Sequence, residues 1–328
     1  MKRNEFLKMS TLGLLAFNLP YGFDSIVKKL NSYKKLKRNN MEKETAKYGA
    51  VHLEITDKEK SLQFYRDIVG LKLRNENDSL EMGTETETLV VLHPVANQPK
   101  LKGHSGLYHF AIHPQTETEF ARILARMIES RYLIAPTDHT ISKAIYLDDP
   151  DGITVEITLE TPERFSHYEL NGRMFSAIAK DGTAKSASAP LDVESLLKIA
   201  PMDNLQNPLA VGTVIGHMHL YVGNLNASYD FYSKLGFEEH YLASEIQFAD
   251  FSLGGTFKHR MGVNTWQGLN APQAPDGTAK MRHFTIQYTT KNGLETALQN
   301  VGQFEKTDDY HLVKDPSGTK IRLTAEKQ

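Results

Sequence analysis

The clearest alternation of apolar and polar positions lies in residues 106–160, which read as a strand, a helical run and then further strands. In the last strand Val155 and Ile157 occupy one face and Glu156 occupies the other. Because side chains two apart share a face, this pattern predicts a half-buried strand with one polar face. His109 lies in the first strand of the same stretch. A carboxylate directed at a histidine on a neighbouring strand is paired, solvated or bound to a metal.

The same order of elements, one strand, one helix and three strands, occurs four times along the chain. The first module covers about 49–95, the second 106–160 and the third about 216–266, and the fourth begins at Met281. Such a repeat indicates one supersecondary unit used four times, none of which buries its apolar face alone.

Matching details support this repeat. Both 149–152 and 315–318 combine proline with glycine, which predicts a turn into the final strand of the module. The helices of the first and third modules share an aromatic pair and a later glycine that suits a left-handed helix end. These residues are Phe64, Tyr65 and Gly70, and Phe231, Tyr232 and Gly236.

The repeats predict an α+β protein with four βαβββ modules in two tandem domains, 47–161 and 213–328. Residues 162–212 are predicted as a polar linker with one short helix, ESLLKIA. Modules should pair into cupped mixed sheets with helices outside, because each sheet must bury its apolar face. A polar concavity between paired sheets is the expected position of a small-molecule site.

Residues 1–46 are predicted as a leader and basic tether outside the fold. Their apolar run, 11–19, is too short to span a bilayer, so no stable membrane span is expected. The run beginning at Arg3 resembles a twin-arginine export signal, but Asn4 replaces the second arginine. Export to the periplasm by a degenerate signal and a cytoplasmic location both remain open.

Composition narrows the chemistry. The 328 residues contain 38 Lys+Arg and 40 Asp+Glu, for a formal net charge of -2, which does not suggest a nucleic-acid partner. The chain has no cysteine, which excludes disulfides, thiolate metal sites and a cysteine nucleophile. Imidazole and carboxylate groups are the available metal ligands, and they suit iron, manganese, zinc or nickel. The oligomeric state, including a homo-oligomer, stays open.

From Tyr48 to the C-terminus the chain resembles the vicinal oxygen chelate (glyoxalase/bleomycin resistance/dioxygenase) superfamily, and more specifically extradiol dioxygenases of the catechol 2,3-dioxygenase type. The resemblance implies a metal on the inner face of a cupped sheet. Its ligands would come from the first strands of two paired modules and the last strand of one. The first-strand position falls on Ala50, His109, His217 and His283, and the last-strand position on Glu156 and Arg322.

Only one pairing of modules completes a ligand set at these positions. Modules two and three together provide His109, His217 and Glu156, the two-histidine, one-carboxylate triad of non-haem Fe(II) oxygenases. If module one paired with module two and module three with module four, each half of the chain would have an incomplete ligand triad. Only His93 could then add a ligand to the first half. We therefore expect modules two and three to share the site.

The resemblance also implies three residues around the metal. His259 matches the family's acid–base histidine, and a histidine titrates near working pH. Tyr146 and His139 match the tyrosine and histidine that bind substrate. The roles of His219 and His283 stay unassigned. His283 lies at the first-strand ligand position, but Arg322 replaces the carboxylate that would complete its site.

The expected activity is Fe(II)-dependent extradiol cleavage of a catechol by O2, with Mn(II), Zn(II) or Ni(II) as alternative metals. Two other readings stay open. A glyoxalase-like lyase or isomerase would need a second carboxylate, but Asn264 and Thr265 lie at the matching place. A metal-free small-molecule-binding protein would have no use for an intact triad.

Overall fold

The computed structural model describes residues 43–171 and 174–326. Most of the predicted leader, 1–46, lies outside these residues, and Ala46 opens the first strand. The strands are β1 Ala46–Glu54, β2 Lys72–Glu76, β3 Leu80–Gly83, β4 Thr88–His93, β5 Gly106–His113, β6 Ala135–Asp138, β7 Ser142–Asp148, β8 Thr154–Glu160, β9 Phe165–Asn171, β10 Met174–Ala179, β11 Ala184–Ser186, β12 Ala189–Pro190, β13 Val214–Tyr221, β14 Glu238–Ala243, β15 Phe248–Ser252, β16 Met261–Asn264, β17 Lys280–Tyr288, β18 Glu305–Lys306, β19 His311–Lys314 and β20 Lys320–Ala325.

Within the described residues five α-helices accompany them: α1 Lys58–Gln63, α2 Glu117–Glu129, α3 Val193–Ile199, α4 Leu225–Lys234 and α5 Lys291–Val301. A π-helical turn, Phe64–Val69, continues α1. Gly70 (φ 95°) and Gly236 (φ 89°) adopt the left-handed conformation after α1 and α4, as the sequence predicts. Across the described ranges, no helix has the length and apolar character needed to cross a membrane.

Two mixed sheets contain all four modules, and each sheet combines modules from both halves of the chain. Sheet 1 has the order β18-β19-β20-β17-β1-β4-β3-β2, so modules one and four share it. Sheet 2 has the order β12-β6-β7-β8-β5-β13-β16-β15-β14, so modules two and three share it. This confirms the α+β class, the paired modules and the pairing of module two with module three.

First strands meet at the centre of each sheet. In sheet 2, β5 and β13 are antiparallel, with His109 opposite His219, and β8 runs parallel to β5 on its other side. In sheet 1, β1 and β17 are antiparallel, with His52 opposite His283, and β20 runs parallel to β17. This arrangement brings first-strand and last-strand positions of different modules side by side.

The segment 162–212 contributes structure of its own. Strands β9, β10 and β11 form a three-stranded antiparallel sheet, and β12 pairs with β6 at the edge of sheet 2. Phe165 and Ala177 pack with Ile141 and Phe257 in a small apolar cluster. The segment is therefore anchored beside the module two–three face, and it includes the short helix α3 expected from the sequence.

Helix α2 fixes part of this segment through a buried arginine. Arg126 is 1% exposed, and its guanidinium donates hydrogen bonds to the carbonyls of Val69, Leu205 and Asn207. A Cβ placed on Gly70 would overlap this guanidinium. Burying a cation is costly unless its N–H groups are paired, so these carbonyls fix the arginine between two chain segments.

Candidate metal centre

The inner face of sheet 2 brings together the three predicted ligands. His109 on β5, Glu156 on β8 and His217 on β13 are 3%, 1% and 0% exposed. Glu156 Oε2 lies 3.1 Å from His109 Nε2 and 2.9 Å from His217 Nε2. One ligand atom from each residue lies within 4.8 Å of the others, which permits a shared metal ion.

The Glu156 carboxylate has a defined orientation. Thr158 Oγ1 donates to Oε1 at 2.8 Å, which leaves Oε2 facing the two imidazoles. Burial alone would raise the pKa of Glu156, but His217 and His109 outweigh it and hold the pKa well below its usual range. Burial lowers the pKa of both histidines, that of His217 strongly. The group therefore presents an ionised carboxylate and neutral imidazoles, the protonation state that metal ligation requires.

His217 begins a chain of contacts behind the triad. Its Nδ1 lies 2.9 Å from His113 Nε2, and His113 Nδ1 lies 2.9 Å from Glu160 Oε1. Arg260 Nη1 donates to the same Glu160 oxygen at 2.7 Å. Glu160 has a pKa of about 2, because His113 and Arg260 outweigh the raising effect of burial.

Whether a metal ion fits the site can be tested by comparing the hydrogens that these contacts need with the hydrogens that the side chains supply. Contacts run from Glu156 to His217, from His217 to His113 and from His113 to Glu160, so three hydrogens are needed. Burial lowers the pKa of both histidines, and two neutral imidazoles supply only two hydrogens. A cation between Glu156 and His217 removes the deficit, since Nδ1 of each ring can then donate along the chain.

The His109 ring gives a second, independent test. Both of its nitrogens are buried, and neither has a hydrogen-bond partner, although Nε2 approaches Glu156. Buried polar atoms without partners are rare in folded proteins. Adjacent ligand atoms of an octahedral metal are about 3 Å apart when each bond is about 2.1 Å, close to the two separations at Glu156 Oε2. The residues therefore fit a metal ion.

His259 lies beside the triad, in the loop two residues before β16. Its ring centroid is 4.5 Å from that of His217. Asp250 Oδ1 accepts from His259 Nδ1 at 2.7 Å, and Oδ2 accepts from His240 Nδ1 at 2.8 Å. Burial alone would lower the pKa of His259, but Asp250 raises it above the usual value. The buried Asp250 thus fixes the tautomer of His259 and leaves its Nε2 outside this contact.

Tyr146 and His139 form a second polar pair at the site. Tyr146 lies on β7 directly opposite Glu156, and its hydroxyl is 2.9 Å from His139 Nε2. His139 Nδ1 donates to the carbonyl of Ala187, which makes Nε2 the acceptor. Burial and the Glu156 carboxylate raise the pKa of Tyr146 well above its usual range. The hydroxyl thus stays protonated at working pH.

His219 is excluded as a ligand through Nε2. Asn264 Nδ2 donates to that nitrogen at 2.8 Å, and Asn264 Oδ1 accepts from the amide of Trp266. His219 contacts the rings of Tyr108 and Phe248, with centroids 4.9 and 5.7 Å away. These aromatic groups give the site an apolar wall next to its polar triad.

Three residues of this site were absent from the sequence-based prediction: the buried His113 and Asp250 and the half-buried Glu160. His113 had a visible signal, because it lies four residues after His109 on the same strand and on the same polar face. Asp250 and Glu160 had none, since an isolated acid in a strand is usually solvated.

Comparison with known proteins places the chain in a family. Residues 49–157 match the family model described as Glyoxalase/Bleomycin resistance protein/Dioxygenase superfamily. Catechol-2,3-dioxygenase of Bacillus subtilis (strain 168) is 30% identical over 279 residues, covering 82% of this chain and 93% of the relative. The chain therefore belongs to the glyoxalase/bleomycin resistance/dioxygenase superfamily, as a catechol 2,3-dioxygenase homologue.

Solved structures agree on the fold. A crystal structure of a Bacillus subtilis protein superposes with a TM-score of 0.53 at 11% identity, covering 88% of this chain and 87% of that one. Glyoxalase I from Zea mays gives a TM-score of 0.51 at 14% identity, covering 86% and 93%. At these identities the likeness concerns the fold alone. The sequence relative supports a dioxygenase-like enzyme, and the buried triad is consistent with a metal site.

Proposed function

We propose that the protein is a non-haem Fe(II)-dependent extradiol dioxygenase that cleaves a catechol-type aromatic diol with O2. The observation that carries this proposal is the buried triad of His109, Glu156 and His217, in which neither nitrogen of His109 has a hydrogen-bond partner. Two imidazoles and one carboxylate are the ligand set of non-haem Fe(II) oxygenases. Bound Fe(II) would supply open coordination positions at which a catechol and O2 are held together.

The surrounding residues have consistent roles in this reaction. His139 orients the Tyr146 hydroxyl beside the triad, and the hydroxyl oxygen can still accept a hydrogen bond, which suits binding of a substrate hydroxyl group. His259, oriented by Asp250, holds or accepts the proton that a diol releases on binding. The aromatic wall of Tyr108 and Phe248 suits a planar ring.

Chemistry of the lyase or isomerase type receives less support from the site. Such a site would use a second carboxylate, and Asn264 occupies the matching place, where it binds His219. Within the described parts of the chain, the triad of His109, Glu156 and His217 is the one group of metal-ligating side chains close enough to share an ion.

Reconstitution tests the proposal. Purified protein loaded anaerobically with Fe(II) should retain one iron per chain, and admitting O2 with a panel of catechols should consume O2 and give a ring-cleaved product. His109→Ala, His217→Ala and Glu156→Ala should each lose the iron. His283→Ala should keep it, because that histidine lies in sheet 1. Iron loss from the His283 variant, or an iron-loaded protein inert toward every diol tested, would contradict the proposal.

A further inference from the structure

Sheet 1 contains a counterpart of the metal centre in which an arginine replaces the carboxylate. In sheet 2, Ala111 lies two positions after His109 on β5 and pairs with Glu156 on the parallel strand β8. In sheet 1, Thr285 lies two positions after His283 on β17 and pairs with Arg322 on the parallel strand β20. The corresponding residues are His109, Ala111 and Glu156 in sheet 2, and His283, Thr285 and Arg322 in sheet 1.

Three imidazoles lie together at this second position. The rings of His52 and His283 stack with centroids 4.0 Å apart, and His52 Nδ1 lies 3.0 Å from His93 Nε2. His283 is 5% exposed, and its buried Nε2 has no hydrogen-bond partner. A buried ring nitrogen without a partner indicates a place for a ligand atom.

The charge around these rings is positive. No carboxylate among residues 43–171 and 174–326 forms an ion pair within 4.0 Å of Arg282 or Arg322, and the Arg322 guanidinium lies 4.2 Å from the centre of the Tyr310 ring. Burial first, and then neighbouring groups that include Arg322, lower the pKa of His52 to about 3 and that of His283 to about 2. Unbalanced positive charge favours a bound anion.

This group also differs from a metal site in its chemistry. It lacks a carboxylate ligand, and two guanidinium groups would repel a cation. Arginine N–H groups match the paired oxygens of carboxylate and phosphate groups. A neutral imidazole can donate one further hydrogen bond to the same oxygens.

His52 and His93 are half-buried, so the group is open to solvent at these two rings, and Arg282 also lines a neighbouring cleft of about 440 Å³. More cations than acids line it: Lys100, Lys102, Lys280, Arg282 and Lys320 against Glu54, Asp148 and Asp276. An anion approaching this cleft meets a net positive surface, which favours its entry.

We propose that His283, His52, His93, Arg282 and Arg322 form a binding site for an oxyanion group, a carboxylate or phosphate, separate from the metal centre. The site is independent of the proposed reaction, since it lies on sheet 1 and shares no residue with the triad. Arg322 in sheet 1 thus occupies the position that Glu156 occupies in sheet 2, and this difference makes the sheet 1 site suited to an anion instead of a cation.

Calorimetric titration of the full-length protein tests this site, with inorganic phosphate and benzoate as separate probes at constant ionic strength. One equivalent of at least one probe should bind. Arg322→Gln should weaken that binding at least about tenfold, since it removes a charge-assisted bidentate contact. Arg282→Gln, at an exposed position, should weaken it in the same direction without risk to folding.

Two controls separate the site from other effects. Arg66→Gln removes an arginine paired with Asp67 elsewhere on the surface and should bind as the wild type does. His109→Ala removes a predicted metal ligand and should also bind normally, which excludes binding at the metal centre. Binding of phosphate alone or benzoate alone would assign the class of oxyanion. Absence of both, or unchanged binding in both sheet 1 arginine variants, would overturn the proposal.

Discussion

His113 lies directly behind His217, with its Nε2 2.9 Å from His217 Nδ1. Glu160 holds the other side of the His113 ring, so His217 is joined to a carboxylate through an intervening imidazole. Hydrogen bonds from the far nitrogen of a ligating histidine fix its tautomer and its orientation. A Cβ on Gly216 would overlap the His113 ring, so the absence of a side chain at that position makes room for this contact.

We therefore predict that His113→Phe weakens metal binding about 10- to 100-fold, the usual effect of losing such a partner. The phenyl ring fills the space but leaves His217 Nδ1 without an acceptor. Competition with a chelator measures the affinity directly, without reference to activity. His167→Phe is the control, because His167 is an exposed histidine on β9. Equal metal affinities of the His113 variant and the wild type would contradict the role assigned to His113.

A second prediction concerns proton transfer. His259→Phe should keep the metal and slow turnover by roughly 10²–10⁴-fold, the range for loss of an acid–base group. Metal content and substrate affinity, measured beside the turnover rate, distinguish this from collapse of the site. An unchanged turnover rate would remove His259 from the mechanism.

Asp250 should act through His259. Its carboxylate raises the pKa of His259, so Asp250→Asn should lower the pKa seen in the pH profile of turnover. The substitution keeps the size of the side chain but removes its charge. A slower enzyme with an unmoved profile would indicate that Asp250 contributes only to packing.

The repeat pattern predicted most of the architecture because it records which face of each strand is polar. His109, His217 and Glu156 occupy equivalent positions of their modules, and neighbouring strands bring those positions together. The sequence therefore predicted both the pairing of modules two and three and the three groups that meet in sheet 2.

The repeat pattern could not predict contacts between side chains from distant segments of the chain. His113 and His217 are 104 residues apart, and periodicity gives the face of each but not which side chains touch. The polar segment 162–212 was predicted as a linker, because short exposed strands such as β9 and β11 have few apolar positions to mark them. Its backbone nevertheless reaches the site, where Ala187 accepts a hydrogen bond from His139.

A fourth prediction concerns stability at the end of the first module's helix. Gly70→Ala should destabilise the protein more than Gly236→Ala, by about 1–3 kcal/mol, the usual cost of overpacking. Both glycines have a left-handed φ, so backbone strain is similar in the two variants. At Gly236 a Cβ meets nothing within 4 Å, whereas at Gly70 it overlaps the guanidinium of Arg126.

Chemical denaturation of the two variants measures this difference. Arg126 is held by the carbonyls of Val69, Leu205 and Asn207, so its guanidinium cannot yield without leaving buried groups unpaired. Equal losses of unfolding free energy at Gly70 and Gly236 would show that Arg126 moves aside without cost.

The last prediction is a pH dependence of stability at the turn before β8. Asp149 is buried and accepts hydrogen bonds from the Tyr65 hydroxyl and from the amides of Asp151 and Ile153. Burial outweighs these bonds and raises the pKa of Asp149 to about 7. The folded state then binds its proton more tightly than the unfolded state, whose carboxyl has a pKa of about 3.9.

Stability contributed by the protonated carboxyl should therefore fall as the pH rises from about 4 to about 7. Asp149→Asn replaces that carboxyl with a neutral group that does not titrate. In metal-free protein, the unfolding free energy of the wild type relative to this variant should fall by up to about 1.4 kcal/mol per pH unit in that window. Asp78→Asn, at an exposed position, controls for a general loss of charge. A difference that rises with pH would mean that the hydrogen bonds from Tyr65, Asp151 and Ile153 stabilise the ionised carboxylate more than burial penalises it.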